Sequence, residues 1–334
     1  MKTFIVMICV GLFNALPLFG QEGISSGVAK PGRIDSINQP EEVEKLVRSI
    51  DKNYSSFRID KKLIFEDENC FRLADLSKVK PIAKADFDKN GYTDMLVMGI
   101  LNERPAILSL MGSASEKISL HLITRQFRRT CSFAQVIYED GNTLIEFKYF
   151  DGYFARVGYT EAVNSVKLII KYGGFIEYNP SPKKYDINKI EFRNDGRPWI
   201  TSSEYSIEIN SLGKAHLVSK SITNDWQASP DSYDGYTKVP GVSPDSLFAT
   251  ISGLLNYSDF SNLEDRYEIK ATDHATGVLT IYYNDGKVKT ISDYGLQGTY
   301  GLQRVYQTIN SMRGSLVWKL KAPKALTPLP AIRN

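Results

Sequence analysis

The sequence predicts an α+β protein in two parts, an N-terminal β-rich antiparallel domain followed by an α+β domain of ββ(β)-α-βββ-α order. Three observations carry that expectation. Short runs rich in Val, Ile, Leu and aromatics recur along the chain, divided by turn pairs such as Asp140-Gly141, Asp151-Gly152 and Gly173-Gly174. Three other segments repeat apolar residues at helical spacing instead. Between the two parts, Asn179-Pro180-Ser181-Pro182-Lys183-Lys184 interrupts all periodicity and marks the boundary.

Composition narrows the function classes. The chain has 334 residues, 42% hydrophobic and 24% charged, which excludes a disordered tail, a fibrous repeat and a multi-span membrane protein. Its net charge of +3 comes from 41 basic and 38 acidic residues with no basic stripe, so nucleic acid is not an expected partner.

Residues 1–20 read as a secretory leader. Lys2 precedes an apolar core containing Phe4, Ile5, Val6, Met7, Ile8, Val10, Leu12 and Phe13, and Pro17 and Gly20 end it before Gln21. An exported protein, periplasmic or extracellular, is the expectation, with no membrane span once the leader is cleaved. The competing reading is an uncleaved anchor, for which the apolar run is short. Loss of Cys9 leaves Cys70 and Cys131, which read equally as a disulfide in an oxidising compartment or as two buried thiols.

Residues 21–39, rich in Gly, Ser and Pro, form a flexible lead-in. The helix over 40–50 opens with Pro40, Glu41 and Glu42 and places Val43, Leu46, Val47 and Ile50 on one face. Strands follow at 95–100, 105–110, 117–123, 134–138, 143–149 and 166–172, completing a β-rich domain over 40–179. The second domain, 186–320, begins with strands at 187–193 and 205–210, where Tyr205, Ile207 and Ile209 share a face. A strand at 214–221 pairs back across Leu212-Gly213. Ser243 as N-cap and Pro244 at N1 open a helix to about residue 255. Strands at 267–271, 278–283 and 287–291 come next, the last two joined by Asn284-Asp285-Gly286, and a helix at 299–312 closes the domain before a tail over 321–334. Residues 231–236 read as a structured turn with packed tyrosines.

The second domain resembles a bacterial family of secreted proteins known as domain of unknown function 6438. The resemblance runs from about residue 187 to 318, through Glu204-Tyr205-Ser206-Ile207-Glu208-Ile209, Gly213 and the helix carrying Leu247, Ile251 and Leu254. It is most specific at Thr272-Asp273 and Lys289-Thr290-Ile291-Ser292-Asp293-Tyr294-Gly295, followed by the helix with Leu302 and Ile309 and by Trp318. Family members often carry two cysteines before the tyrosine matching Tyr205. Pro198 and Ser202 stand there, so a redox role tied to that pair is not implied. The family has no assigned activity, and the resemblance implies a fold and a compartment.

One constellation carries chemistry. Asp86-Phe87-Asp88-Lys89-Asn90-Gly91-Tyr92-Thr93-Asp94 puts side-chain oxygens at loop positions 1, 3, 5 and 9 with glycine at 6. Calcium takes six to eight hard oxygen ligands, and alternate residues of a tight loop converge on one centre. The metal-ligand set expected is Asp86, Asp88, Asn90 and Asp94, with the backbone carbonyl of Tyr92. Val97 at position 12 replaces the glutamate of an EF-hand, and a strand follows, not a helix. The segment resembles a single FG-GAP or VCBS-type calcium loop. The alternative is an Asn-Gly turn capped by Asx bonds.

Weaker candidates each have a bland reading. Phe127-Arg128-Arg129 is a solvated edge or an anion contact. Asp225-Trp226 and the tyrosines of 231–236 suit a packed turn or a sugar-contacting surface. His274 beside Asp273 invites acid–base chemistry without a nucleophile to serve. No catalytic fingerprint occurs. The sequence therefore points to an exported non-catalytic binding or interaction module with a structural calcium loop and a carbohydrate or protein surface partner. A secreted hydrolase with dispersed carboxylates is the alternative.

Overall fold

The structure, a computed structural model, describes residues 32–59, 80–115, 117–125, 132–150, 163–196, 204–219, 231–237, 244–269 and 271–320. The leader, Cys70, Cys131, residues 127–129, Asp225, Trp226 and the tail lie outside the described residues.

The helix α1, Pro40–Ile50, forms where its signals place it. Glu42 reaches back to accept the backbone N–H groups of Asn38 and Gln39 at 3.0 Å each, satisfying donors that have no intrahelical partner. Its apolar face buries Val43, Leu46 and Val47. That face packs on a five-stranded antiparallel sheet of β1 (Arg58–Ile59), β2 (Ile82–Ala85), β3 (Asp94–Leu101), β4 (Arg104–Met111) and β5 (Ser119–Leu122). β3 lies between β4 and an opposite edge shared in tandem by β1 and β2.

β3 is covered on both faces, which is why it reads as an uninterrupted apolar run. Met95 and Val97 face α1, whereas Leu96 and Met98 face a second sheet. That sheet is a four-stranded meander of β6 (Ser132–Glu139), β7 (Asn142–Phe150), β8 (Val163–Lys171) and β9 (Gly174–Glu177). Phe133, Ile145, Phe147, Leu168 and Phe175 bury against Leu96, Met98 and Ile107. The β-rich antiparallel reading of the first part thus resolves into a helix and two packed sheets.

The third sheet has eight strands in the order β14-β16-β15-β10-β11-β12-β13-β17. These are β10 (Ile187–Asn194), β11 (Tyr205–Asn210), β12 (Ala215–Ser219), β13 (Asp231–Thr237), β14 (Arg266–Glu268), β15 (Thr276–Tyr283), β16 (Lys287–Tyr294) and β17 (Val317–Leu320). Pairing is antiparallel except between β14 and β16. Helices α2 (Pro244–Tyr257) and α3 (Tyr300–Ser315) cover one face, burying Ile251, Leu254, Leu302, Val305 and Ile309 against Ile190, Phe192, Ile207, Leu279, Ile281 and Ile291.

In this sheet three details differ from the sequence reading. Residues 231–237 form a strand, not a turn, paired between β12 and β17. They carry no apolar alternation, so backbone pairing to two neighbours decides what pattern could not. β17 closes that edge and was not expected. The strand anticipated at 267–271 shortens to Arg266–Glu268 and pairs in parallel. The order becomes ββββ-α-βββ-α-β.

The segment joining β9 to β10 is fastened along its length. Asn179 donates from its side-chain amide to the Tyr257 carbonyl at 2.7 Å, and the Tyr185 N–H donates to Asn256 Oδ1 at 3.0 Å. Lys183 pairs with Asp259 at 3.0 Å. Side chains also cross between the parts. Tyr300 of α3 enters the core of the two smaller sheets, where its hydroxyl donates to the Ile123 carbonyl at 2.8 Å.

Candidate metal centre

The loop of residues 86–93 joins β2 to β3, whose facing ends pair Ala85 with Asp94. An eight-residue excursion is more than a two-residue hairpin turn requires. Lys89 at φ 59° and Gly91 at φ 81° both enter the left-handed region, and this turns the chain back on itself. Gly91 meets that demand without a Cβ penalty.

The reversal brings the loop's acidic side chains toward one another. Asp86, Asp88 and Asp94 each offer a carboxylate oxygen, and these oxygens lie within 4.8 Å of one another. The three acids of the expected ligand set therefore lie together. Asn90 also bonds within and beyond the loop. The Asn90 side-chain carbonyl accepts the Tyr92 N–H at 2.7 Å, and its amide donates to the Gly112 carbonyl at 2.9 Å.

The remaining bonds are local Asx bonds, the feature foreseen in the alternative reading. Asp86 accepts the Asn90 N–H at 3.2 Å and the Gly91 N–H at 2.9 Å on its two oxygens. Asp88 accepts the same Asn90 N–H at 3.2 Å and the Asn90 side-chain amide at 3.1 Å. These bonds leave lone pairs on the carboxylates, because an oxygen bonded to one N–H keeps a second.

Asp94 is the anchor. It is 0% exposed, the first residue of β3, and its two oxygens accept the Phe87 N–H at 2.7 Å and the Gly112 N–H at 2.8 Å. It thereby ties the loop to the end of β4. Burial pushes its carboxyl up to about 7, against the two N–H donors that lower it, while Asp88 and Asp86 raise it further. Asp88 is also raised, by desolvation first, with the Asp86 charge adding to it. Among the described residues no lysine or arginine forms an ion pair with these three carboxylates. Hard carboxylate oxygens are the donor type that calcium takes, and three of them lie together here.

Two contacts reach beyond the loop. Thr93 donates its hydroxyl to Asp35 Oδ1 at 2.7 Å, and Asp35 closes the turn at Gly32 by accepting its N–H at 2.6 Å. Lys89 donates to Asn142 Oδ1 at 3.0 Å, bridging to the start of β7. Neither Asp35 nor Gly112 carried a signal in the sequence, since each works through chain positions distant from the loop.

His274 lies before β15, its N–H donating to the Tyr294 hydroxyl at 3.3 Å and its ring edge-on to Tyr294 at 6.3 Å. That is packing geometry.

Residues 201–313 match the family model described as a domain of unknown function (DUF6438). The match covers about a third of the chain, from the approach to β11 through most of α3, and leaves the loop of residues 86–94 outside it. No curated protein and no solved structure matches the chain.

Proposed function

We propose that the protein is an exported, non-catalytic binding or interaction module whose N-terminal part carries a structural calcium loop at residues 86–94. The convergence of three carboxylates within 4.8 Å, one of them fully buried, is the observation that carries this reading. Carboxylates so placed repel one another, and a divalent cation removes the repulsion. The loop fastens β3, the turn at Gly32 and the β6–β7 hairpin together, so a bound ion acts on the fold. Asp94 already spends both oxygens on backbone N–H groups, which suits a fixed ligand better than a group that must move protons for a substrate. The apolar leader supports export, periplasmic or extracellular, and the partner is a carbohydrate or protein surface.

The test is a melting curve in chelator and in millimolar calcium. Binding to the folded state alone raises stability by about 2.7 kcal/mol at a hundredfold excess over Kd. The wild type is expected to melt higher in calcium. Asp88→Ala removes an exposed ligand, so it is expected to melt like the wild type in chelator and to gain nothing from calcium. An unmoved wild-type curve, or an undiminished response in Asp88→Ala, refutes the calcium loop. Export is tested separately by intact mass, since retention of Met1 in exported protein would refute it.

A further inference from the structure

The loop of residues 86–93 also holds a covalent instability. Asn90-Gly91 is the one Asn-Gly pair in the 334 residues, and Asn90 is exposed. A glycine after asparagine presents a backbone nitrogen that no side chain shields, so the asparagine carboxamide can react with its own chain. The space over Gly91 is open, since a Cβ placed there would meet nothing within 4 Å.

Four hydrogen bonds hold the reacting atoms apart in the closed loop. The Gly91 N–H donates to Asp86 Oδ2 at 2.9 Å, and that carboxylate opposes any negative charge built on the nitrogen. The Asn90 side-chain oxygen accepts the Tyr92 N–H at 2.7 Å. Its side-chain nitrogen donates to the Gly112 carbonyl at 2.9 Å and to Asp88 Oδ2 at 3.1 Å. Both ends of the carboxamide are fixed, so it cannot turn its carbon toward the Gly91 nitrogen without breaking them.

We propose that Asn90 is a site of spontaneous deamidation, kept silent while the loop is closed and released whenever the loop opens. In the open loop the Gly91 nitrogen bonds to the Asn90 side-chain carbon. The nitrogen's proton passes through water to the departing amide, whose C–N bond breaks to release ammonia. Water then cleaves either C–N bond of the cyclic imide. The product is aspartate, or isoaspartate where the chain now runs through the side-chain carbon. Either product loses the donors to the Gly112 carbonyl and to Asp88, and sets a new carboxylate against both. The change is one-way, so a loop that has opened is marked and held open. No ion in the loop is required for any of these steps.

Peptide mapping of the full chain, aged in chelator at pH 7.5, reads this directly, because each product exchanges NH2 for OH and the two isomers separate. Conversion at residue 90 is expected to be about tenfold or more slower in folded than in urea-unfolded protein. Asp86→Ala frees the Gly91 nitrogen, and Asp88→Ala frees one bond of the carboxamide. Each is expected to convert about tenfold faster than the folded wild type, the size of one lost hydrogen bond to a charged group. No conversion at residue 90 in unfolded protein, equal rates folded and unfolded, or variants no faster than the wild type would each overturn the proposal. If Asp86→Ala does not fold, Asp88→Ala decides alone. In the converted fraction of the wild type, hydrogen exchange at Gly112 should quicken, and exchange equal to that of unconverted protein would show that the product does not hold the loop open.

Discussion

At the scale of single residues, Asp94 shows how one side chain serves a fold and a site together. Its carboxylate accepts both the Phe87 and the Gly112 N–H, and those bonds hold β3, the loop and the end of β4 in register. Asp94→Asn would turn an NH2 group toward one of those donors, leaving a buried N–H unsatisfied. It should cost about 1–3 kcal/mol in chelator, measured by urea denaturation at pH 7.5. The same residue fixes a pH dependence. With its folded value raised to about 7, Asp94 binds a proton more tightly folded than unfolded, so its contribution is greatest in acid and declines as pH rises toward 7. Calcium must displace that proton. The calcium-induced rise in melting temperature should therefore be larger at pH 7.5 than at pH 5, and an equal rise at both would show that Asp94 is not a ligand.

At the scale of elements, the cap of α3 comes from the other half of the chain. Glu177, ending β9, accepts the N–H groups of Tyr300 and Gly301 at 2.6 and 2.8 Å, while the local Thr299 hydroxyl accepts that of Leu302 at 3.0 Å. A carboxylate at a helix N-terminus satisfies orphan donors and meets the positive end of the dipole. Glu177→Ala should cost about 0.5–2 kcal/mol, and hydrogen exchange should quicken at Tyr300 and Gly301 before the middle of α3. This division explains what was legible in the sequence. Pro40 with its acids, the alternation of Tyr205, Ile207 and Ile209, and the turn at Asn284-Asp285-Gly286 act within a few residues and are visible as pattern. The loop spacing of Asp86, Asp88 and Asp94 is legible for the same reason. Glu177 capping a helix more than a hundred residues away leaves no local mark, and neither does Gly112 beneath Asp94. The strand at residues 231–237 was missed because its pairing with β12 and β17 is non-local, and its own residues show no alternation.

At the scale of the whole molecule, the boundary near residues 179–184 separates sheets without separating cores. Ile176 of β9 lies in the core of the eight-stranded sheet, and Tyr300 of α3 lies in the core of the two smaller ones. The Arg125 guanidinium stands 3.9 Å over the Tyr300 ring and donates to the carbonyls of Gln297 and Gly298. Each half thus contributes side chains that the other buries, and their loss should be felt on both sides. Removal of a buried aromatic ring costs roughly 3–5 kcal/mol. Tyr300→Ala is the cleanest probe, because the residue is 8% exposed, packed among residues of the first half, while its backbone belongs to the second. Trp199, Trp226 and Trp318 all follow residue 184, so fluorescence reports the second half, and hydrogen exchange at β3 reports the first. If the cores are coupled, the wild type should unfold in one transition by both measures, and Tyr300→Ala should lower both midpoints together. Independent domains would instead give two wild-type transitions, with the substitution moving only one of them.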